Sequence, residues 1–285
     1  MTIVNKDGLN NKKKIPLFKR NMSINIGLLL VVIMLIPAIF PQFISTHSYT
    51  EVSFEDMLQP PSSKHLFGTD NYGRDIFSRV VWSTRIDLTI GVLATIVPFI
   101  VGSLLGLIAG YYGKWVDDIL MRILDIFMAL PFMVIVIAIV AILGPGVRNL
   151  YIAIWVVGWK YYARLVRSEV LLIKNSEFIQ AAKILGYSNS RILLRHILPN
   201  VLSSSIVFAA SDVVMCMLTG ASLSFLGLGV QPPIPEWGSI ISDGRAFISS
   251  AWWITFFPGI ALIILGTGFS LIGDGLSDIL RTKGR

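Results

Sequence analysis

Charge is what this chain has least of. Asp, Glu, Lys and Arg together make 14% of its residues, against 54% apolar; a soluble domain carries roughly a quarter charged residues. That scarcity excludes an ordinary water-soluble enzyme or binding module. Cysteine is nearly absent as well. Cys216 stands alone inside an apolar run, so no intramolecular disulfide can form, and it reads as a small buried residue. The three histidines, His47, His65 and His196, are scattered along the chain with no cysteine nearby, and no metal site is expected from them. A phosphate-cradling Gly-x4-Gly-Lys-Ser/Thr loop is missing. Gly113-Lys114 is followed by Trp115, and Ile108 occupies the place of the first glycine. No Ser/His/Asp set or carboxylate pair is spaced as an active site. The chain is therefore expected to bind no cofactor, to hydrolyse no ATP and to be no enzyme. It shows no solenoid repeat and no low-complexity segment.

What is present is long uncharged runs: 24–44, 88–113, 126–147, 213–235 and 246–273. A bilayer span needs about 20 apolar residues. The first run is too long for the apolar part of a signal peptide and contains Pro37 and Pro41, so a retained span is expected. A further helix is expected over about 149–173, because Lys160, Arg164 and Arg167 recur at spacings of four and three and share one face as the chain emerges. The run before 213 starts near Pro199 and takes in Asp212, so a fifth helix is expected over about 200–224. The expectation is an all-α polytopic membrane protein with six transmembrane helices. It comprises a basic cytoplasmic tail (1–22), a first span (23–45), an external segment (46–87), a five-helix core (88–280) with a cytoplasmic loop at 174–199, and a short tail (281–285). Pro98, Pro131 and Pro258 are expected as kinks inside spans.

Basic residues set the orientation. With both termini inside, 18 of the 24 Lys and Arg lie on the cytoplasmic side. The net charge of +7 then needs no nucleic acid partner, and Lys12-Lys13-Lys14 is an orientation signal facing anionic lipid.

The cytoplasmic loop has its own grammar. Ser176 stands where it would cap a helix, and Glu177 in the first turn favours the dipole. Phe178, Ala181, Ala182 and Leu185 share a face. Gly186 ends the helix, since glycine adopts a left-handed C-cap cheaply. Ser188-Asn189-Ser190 begins a second helix that Pro199 ends or kinks. Two alanines on the apolar face suit close approach by a protein partner better than anchoring in lipid. The stretch Gln180-Ala181-Ala182, then Gly186, then His196-Ile197-Leu198-Pro199 resembles the "EAA" coupling loop of the membrane subunits of ABC importers.

Further blocks narrow the resemblance. Gly68-Thr69-Asp70-Asn71-Tyr72-Gly73-Arg74-Asp75-Ile76-Phe77-Ser78-Arg79 is similar to the Gly-Thr-Asp-x-x-Gly-Arg-Asp-x-x-Ser-Arg signature of the dipeptide/oligopeptide/nickel branch. Leu223 to Pro233 with Glu236-Trp237-Gly238, and Gly273-Asp274-Gly275-Leu276, match later blocks of that branch. The resemblance runs over about residues 65–280. It implies a type I importer permease of the "C" kind, paired with a homologous permease as a heterodimer. It also implies two ATPase subunits and an external solute-binding protein. The coupling residues implied are Glu177, Gln180, Ala181, Ala182, Gly186, Arg195, His196 and Pro199. Gln180 departs from the usual acid, and Ser83, Asp87 and Ser277 also differ from the branch. The solute stays open among dipeptides, oligopeptides, nickel and metal chelates.

Other residues keep two readings. Asp70 or Asp75 pairs with Arg74 or Arg79 in a turn network, or touches solute. Gly227, Gly229 and Pro232 form an external gate or a tight loop. Asp212, the one ionisable residue placed mid-span, lines a pathway or hydrogen-bonds Ser211, Thr219 or a partner chain. An ion-driven secondary transporter is the rival class. It would need several mid-span carboxylates and an inverted repeat, and neither is seen.

Overall fold

The computed structural model describes the backbone of residues 17–283 and the side chains of residues 22–280. Residues 1–16 and 284–285 of the two expected tails lie outside the described residues. The rest is helical, with one isolated bridge, Thr69 to Asp75, and no strand among the described residues. The α-helices are α1 (Leu17–Ile39), α2 (Pro41–Ile44), α3 (Ile76–Tyr112), α4 (Lys114–Met128), α5 (Phe132–Leu143), α6 (Val147–Ile173), α7 (Glu177–Ile184), α8 (Asn189–Arg191), α9 (Leu198–Phe225), α10 (Trp237–Gly244) and α11 (Trp253–Lys283).

The six expected spans appear as six helical units: α1, α3, the α4–α5 pair, α6, α9 and α11. Among the described residues four stretches are long and apolar enough to cross a membrane, and the α4–α5 pair makes a fifth if taken as one broken span. The 27-residue α6 is long enough at about 1.5 Å per residue. Its Lys160, Arg164, tyrosines and tryptophans dilute the apolar run, so the count of six is not reached on composition alone.

Two boundaries differ from expectation. First, α3 starts at Ile76, twelve positions before the apolar run at 88, so the segment expected as external over 46–87 ends in helix. Asp75 sets that start: its Oδ2 accepts the Ser78 backbone N–H at 2.8 Å. Second, the third span is not one helix over 126–147. The chain breaks between Met128 and Phe132 and turns by 85°. Pro131 stands before α5 with ψ near 133°, so it terminates a helix rather than kinking one.

The basic face of α6 is also not turned simply to water. Lys160 is fully buried and its Nζ donates to the Phe127 carbonyl at 2.6 Å, at the C-terminal end of α4. Arg164 reaches Asp125 at 3.0 Å, and Arg167 grips Asp117 through two nitrogens. These residues fasten α4 along α6.

The 37 residues of α3 span about 55 Å and thread three apolar clusters. Ile76 and Val80 join Trp237, Trp253 and Ile254. Ile90 and Ala94 join Val136, Ile154 and Leu223 in the middle. Leu107 joins Val166, Ile179, Ile192 and Ile197 at the far end. The signature segment and the loop at 174–199 therefore occupy opposite ends of the molecule.

Candidate functional site

The loop at 174–199 folds as the expected elbow. Helix α7 runs Glu177–Ile184 and closes on Gly186, whose φ is +74°. Gly186 N–H donates to Lys183 O at 3.0 Å and Tyr187 N–H to Ala182 O at 3.1 Å, which is the paired bonding of a Schellman C-cap. Ser188 then caps the next helix, its Oγ accepting from Arg191 N–H. Ser176 does not cap with its side chain. Its Oγ donates back to Ile173 O at 2.7 Å, and its carbonyl accepts the Ile179 and Gln180 N–H groups.

The expected shared face of α7 is split. Ala182 turns inward with Ile179 onto the third cluster. Phe178, Ala181, Ile184 and Leu185 are exposed, Ile184 at 86% and Leu185 at 70%. Glu177, Gln180 and Arg195 are exposed beside them, as are Gly186 and Pro199. The elbow thus presents an apolar surface edged with polar groups.

Pro199 neither ends nor kinks the second helix. A π-helical turn over Ile192–Ile197 carries α8 into α9, with Leu198 N–H bonding Leu193 O, and Pro199 falls in the first turn of α9, where its missing N–H is tolerated. His196 stacks on Tyr187, and Arg191 covers the same ring. Tyr111 at the end of α3 donates to Asn189 Oδ1 at 2.8 Å. The elbow is fastened to α3 and continuous with α9.

Thirteen residues along α9 from Pro199 lies Asp212. Its partner within the chain is neither Ser211 nor Thr219. Tyr162 of α6 donates its hydroxyl to Asp212 Oδ2 at 2.8 Å, and the Thr219 hydroxyl goes to Met215 O instead. Asp212 borders a cavity of about 340 Å³ where α3, α5, α6 and α9 meet, walled by Pro98, Phe132, Tyr161, Phe208 and Met215. The walls are apolar and the carboxylate is their one charged group.

A family model described as "Binding-protein-dependent transport system inner membrane component" matches residues 102–283. The chain is 46% identical over 265 residues to the dipeptide transport system permease protein DppC of Alkalihalophilus pseudofirmus, covering 93% of this chain and 87% of that one. The chain belongs to this family. It is also 40% identical to the glutathione transport system permease protein GsiD of Pectobacterium atrosepticum, over 93% and 88% of the two chains. With the oligopeptide transport system permease protein OppC of Bacillus subtilis it shares 39%, over 93% and 87%. An inward-facing structure of the MetNI methionine ABC transporter aligns with a TM-score of 0.57 at 20% identity, over 72% of this chain and 96% of that one, which shows the fold.

In this inner membrane component the signature segment is a buried ionic turn. Asp70 is fully buried and accepts from Arg74 Nε at 2.6 Å, from Arg79, and from the Tyr72 and Arg74 backbone N–H groups. Both arginines also reach Asp243 on α10. The turn-network reading of Asp70 therefore fits better than solute contact. Glu236 caps α10 by accepting from Gly238 and Ser239 N–H at 2.9 and 2.8 Å, and burial holds its carboxyl above the ordinary glutamate range. Asp87, one of the departures from the branch, is buried and accepts the Trp237 N–H at 3.1 Å.

Gly227, with φ +78°, ends α9 in a second Schellman cap, and Gly229 packs tightly against Ser224. Pro232 is exposed. These three lie past the end of α9 and are not brought to Asp212. The histidines depart from expectation: His47 and His65 are not scattered but meet, ring centroids 4.7 Å apart, beside Asp75. Tyr162, Phe208, Asp243 and the two histidines were missed from sequence. Tyr162, Phe208 and Asp243 act through partners dozens of residues away, and the histidines meet across a folded loop, which no local spacing encodes.

Proposed function

We propose that this chain is the permease subunit of an ATP-driven importer of peptides. It would pair with a homologous permease, take its energy from two ATPase subunits, and receive solute from an external binding protein. The observation that carries this is the elbow. An exposed apolar knob, Phe178, Ala181, Ile184 and Leu185, sits on a helix pinned to the core by Ile179 and Ala182. That knob suits a groove on a partner protein, in the manner of an amphipathic helix docking. The elbow is continuous with the 37-residue helical stretch Asn189–Phe225, so displacement of the knob shifts α9 and Asp212 together. ATP-driven closure of the partners would in this way open and close the cavity by alternating access.

Peptides are the solute class supported by the relatives, which are named for dipeptide, glutathione and oligopeptide transport. The apolar walls and single carboxylate of the cavity suit a permissive passage for zwitterionic chains. Both termini and the elbow lie on the cytoplasmic side in this proposal, following the bias of basic residues. The chain itself binds no nucleotide and no cofactor in it.

Gly186→Val tests the reading. A β-branched residue at φ +74° is strained, while nothing lies within 4 Å of the position where its Cβ would stand. The expected outcome is normal membrane insertion with loss of ATPase co-purification or of transport. Wild-type co-purification together with wild-type uptake would refute the docking role.

A further inference from the structure

At the N-terminal end of α3, three side chains converge on one point. His47, His65 and Asp75 each offer a ligand atom, and the three atoms lie within 4.8 Å of one another. Asp75 Oδ1 stands 2.9 Å from His65 Nδ1 and 3.8 Å from His47 Nδ1. We propose that this cluster is a binding site for a divalent transition-metal ion, zinc by its donor set, that staples residues 46–75 to the start of α3.

The local chain holds each donor in place. Asp75 uses Oδ2 to cap α3 and leaves Oδ1 facing the histidines. His47 is tied by its backbone N–H to Ser78 Oγ at 3.0 Å, one turn into the same helix. His65 sits in a tight turn, its N–H on Ser62 Oγ and its carbonyl accepting from Ser62 and Gly68 N–H. Backbone hydrogen bonds therefore hold the main chain of His47 and His65 beside Asp75.

The donor chemistry fits zinc. Zinc binds imidazole and carboxylate at about 2.0–2.2 Å in tetrahedral geometry, which spaces neighbouring ligand atoms by about 3.3 Å. The two separations from Asp75 Oδ1, 2.9 and 3.8 Å, bracket that value. Two imidazoles and one carboxylate leave a fourth position for water, and they suit zinc far better than magnesium or calcium, which prefer oxygen alone.

The other ring nitrogen of His65 fits a supporting role rather than a ligating one. His65 is 5% exposed, and its Nε2 is buried with no hydrogen-bond partner. Asp56 Oδ2 lies 3.8 Å from it. With the metal on Nδ1, Nε2 carries the proton and Asp56 becomes the supporting carboxylate that orients a metal-bound histidine. Asp56 is itself held by Lys64 at 2.8 Å and Ser53 at 2.8 Å, and the Lys64 ammonium keeps its carboxyl below the usual range. A pocket of about 140 Å³ opens beside the cluster and admits water to the fourth position. The competing account is the direct hydrogen bond between His65 and Asp75, and it requires no metal.

The test uses the purified full chain in detergent with the subunits that accompany it, stripped with EDTA and titrated with zinc. Wild type should retain one more zinc per chain than His47→Ala, and the variant's affinity at this site should fall about tenfold or more. Magnesium should not compete. Zinc should slow amide exchange over residues 46–75 in wild type only. The side chain of His47 is 29% exposed, so its truncation leaves the core intact. Should the alanine variant fail to assemble, His47→Gln makes the same comparison. Equal zinc content in wild type and variant, or no zinc bound by wild type, would overturn the site in favour of the direct His65–Asp75 hydrogen bond.

Discussion

Asp212 and Tyr162 stand fifty residues apart and meet only because α6 and α9 pack side by side. A carboxylate facing an apolar cavity is costly unless hydrogen-bonded, and the Tyr162 hydroxyl is the partner found for it. Removing that hydroxyl leaves Asp212 without it. Tyr162→Phe keeps the ring, its edge-to-face contacts with Phe99 and Phe208, and its fit in the core. A hydrogen bond to a charged group contributes about 1.5–3 kcal/mol, so Tyr162→Phe should lower stability by about 2 kcal/mol. Uptake should fall while the elbow still holds its partners. Thermal unfolding in detergent and co-purification separate the two effects. A variant as stable as wild type would show that water or another group already serves Asp212. Sequence disclosed that Asp212 needs an explanation, but a hydroxyl fifty positions away carries no local mark of being that explanation.

At the scale of elements, the pairing of α3 with α6 rests on close backbone approach. Gly102, Gly106 and Gly110 recur every four residues on one face of α3. A Cβ at Gly102 would strike the Trp159 carbonyl, at Gly106 the Ala163 carbonyl, and at Gly110 the Val170 side chain at 2.8 Å. This is the small-residue seam by which helices associate in membranes, where apolar burial alone gives little preference for protein over lipid. Gly106→Leu gains about 1 kcal/mol of helix propensity. It also drives a branched side chain into a main-chain carbonyl that cannot rotate away, and overpacking of that kind costs about 1–3 kcal/mol or more. The clash should win, lowering the unfolding temperature and loosening α6. Gly259→Ala is the control, because nothing lies within 4 Å of its added Cβ. That change should be neutral or slightly stabilising. If Gly106→Leu unfolds at the wild-type temperature, the seam is not what joins these helices. Continuous apolar runs made α3, α9 and α11 legible in sequence. The break at Pro131 was not, since a proline within an apolar run is compatible with either a kink or a stop, and the packing of α4 against α6 decides between them.

Taken whole, the molecule is a set of long helices with two polar ends kept about 55 Å apart by α3. One end carries the buried Asp70–Arg74–Arg79–Asp243 network, and the other carries the elbow. The elbow was legible because its Gly, Ser and Ala chemistry is local. The ionic network was legible only as a list of residues that could pair, because Asp243 joins it from far along the chain. This arrangement makes the proposed orientation testable with two probes. Ser62 and Ser190 are exposed and belong to opposite ends, and Ser190 leaves the capping Ser188 undisturbed. With the buried Cys216 replaced by alanine, Ser62→Cys should react with a membrane-impermeant maleimide in intact cells. Ser190→Cys should react only after the membrane is opened. The length of α3, about 55 Å, exceeds the roughly 30 Å of hydrocarbon, so probes beyond its two ends sit on opposite faces if α3 crosses. Labelling of both positions from outside would mean that the long helices do not cross as proposed. Labelling of Ser190→Cys alone in intact cells would invert the molecule, place the elbow outside, and remove the proposed ATPase partners from its reach.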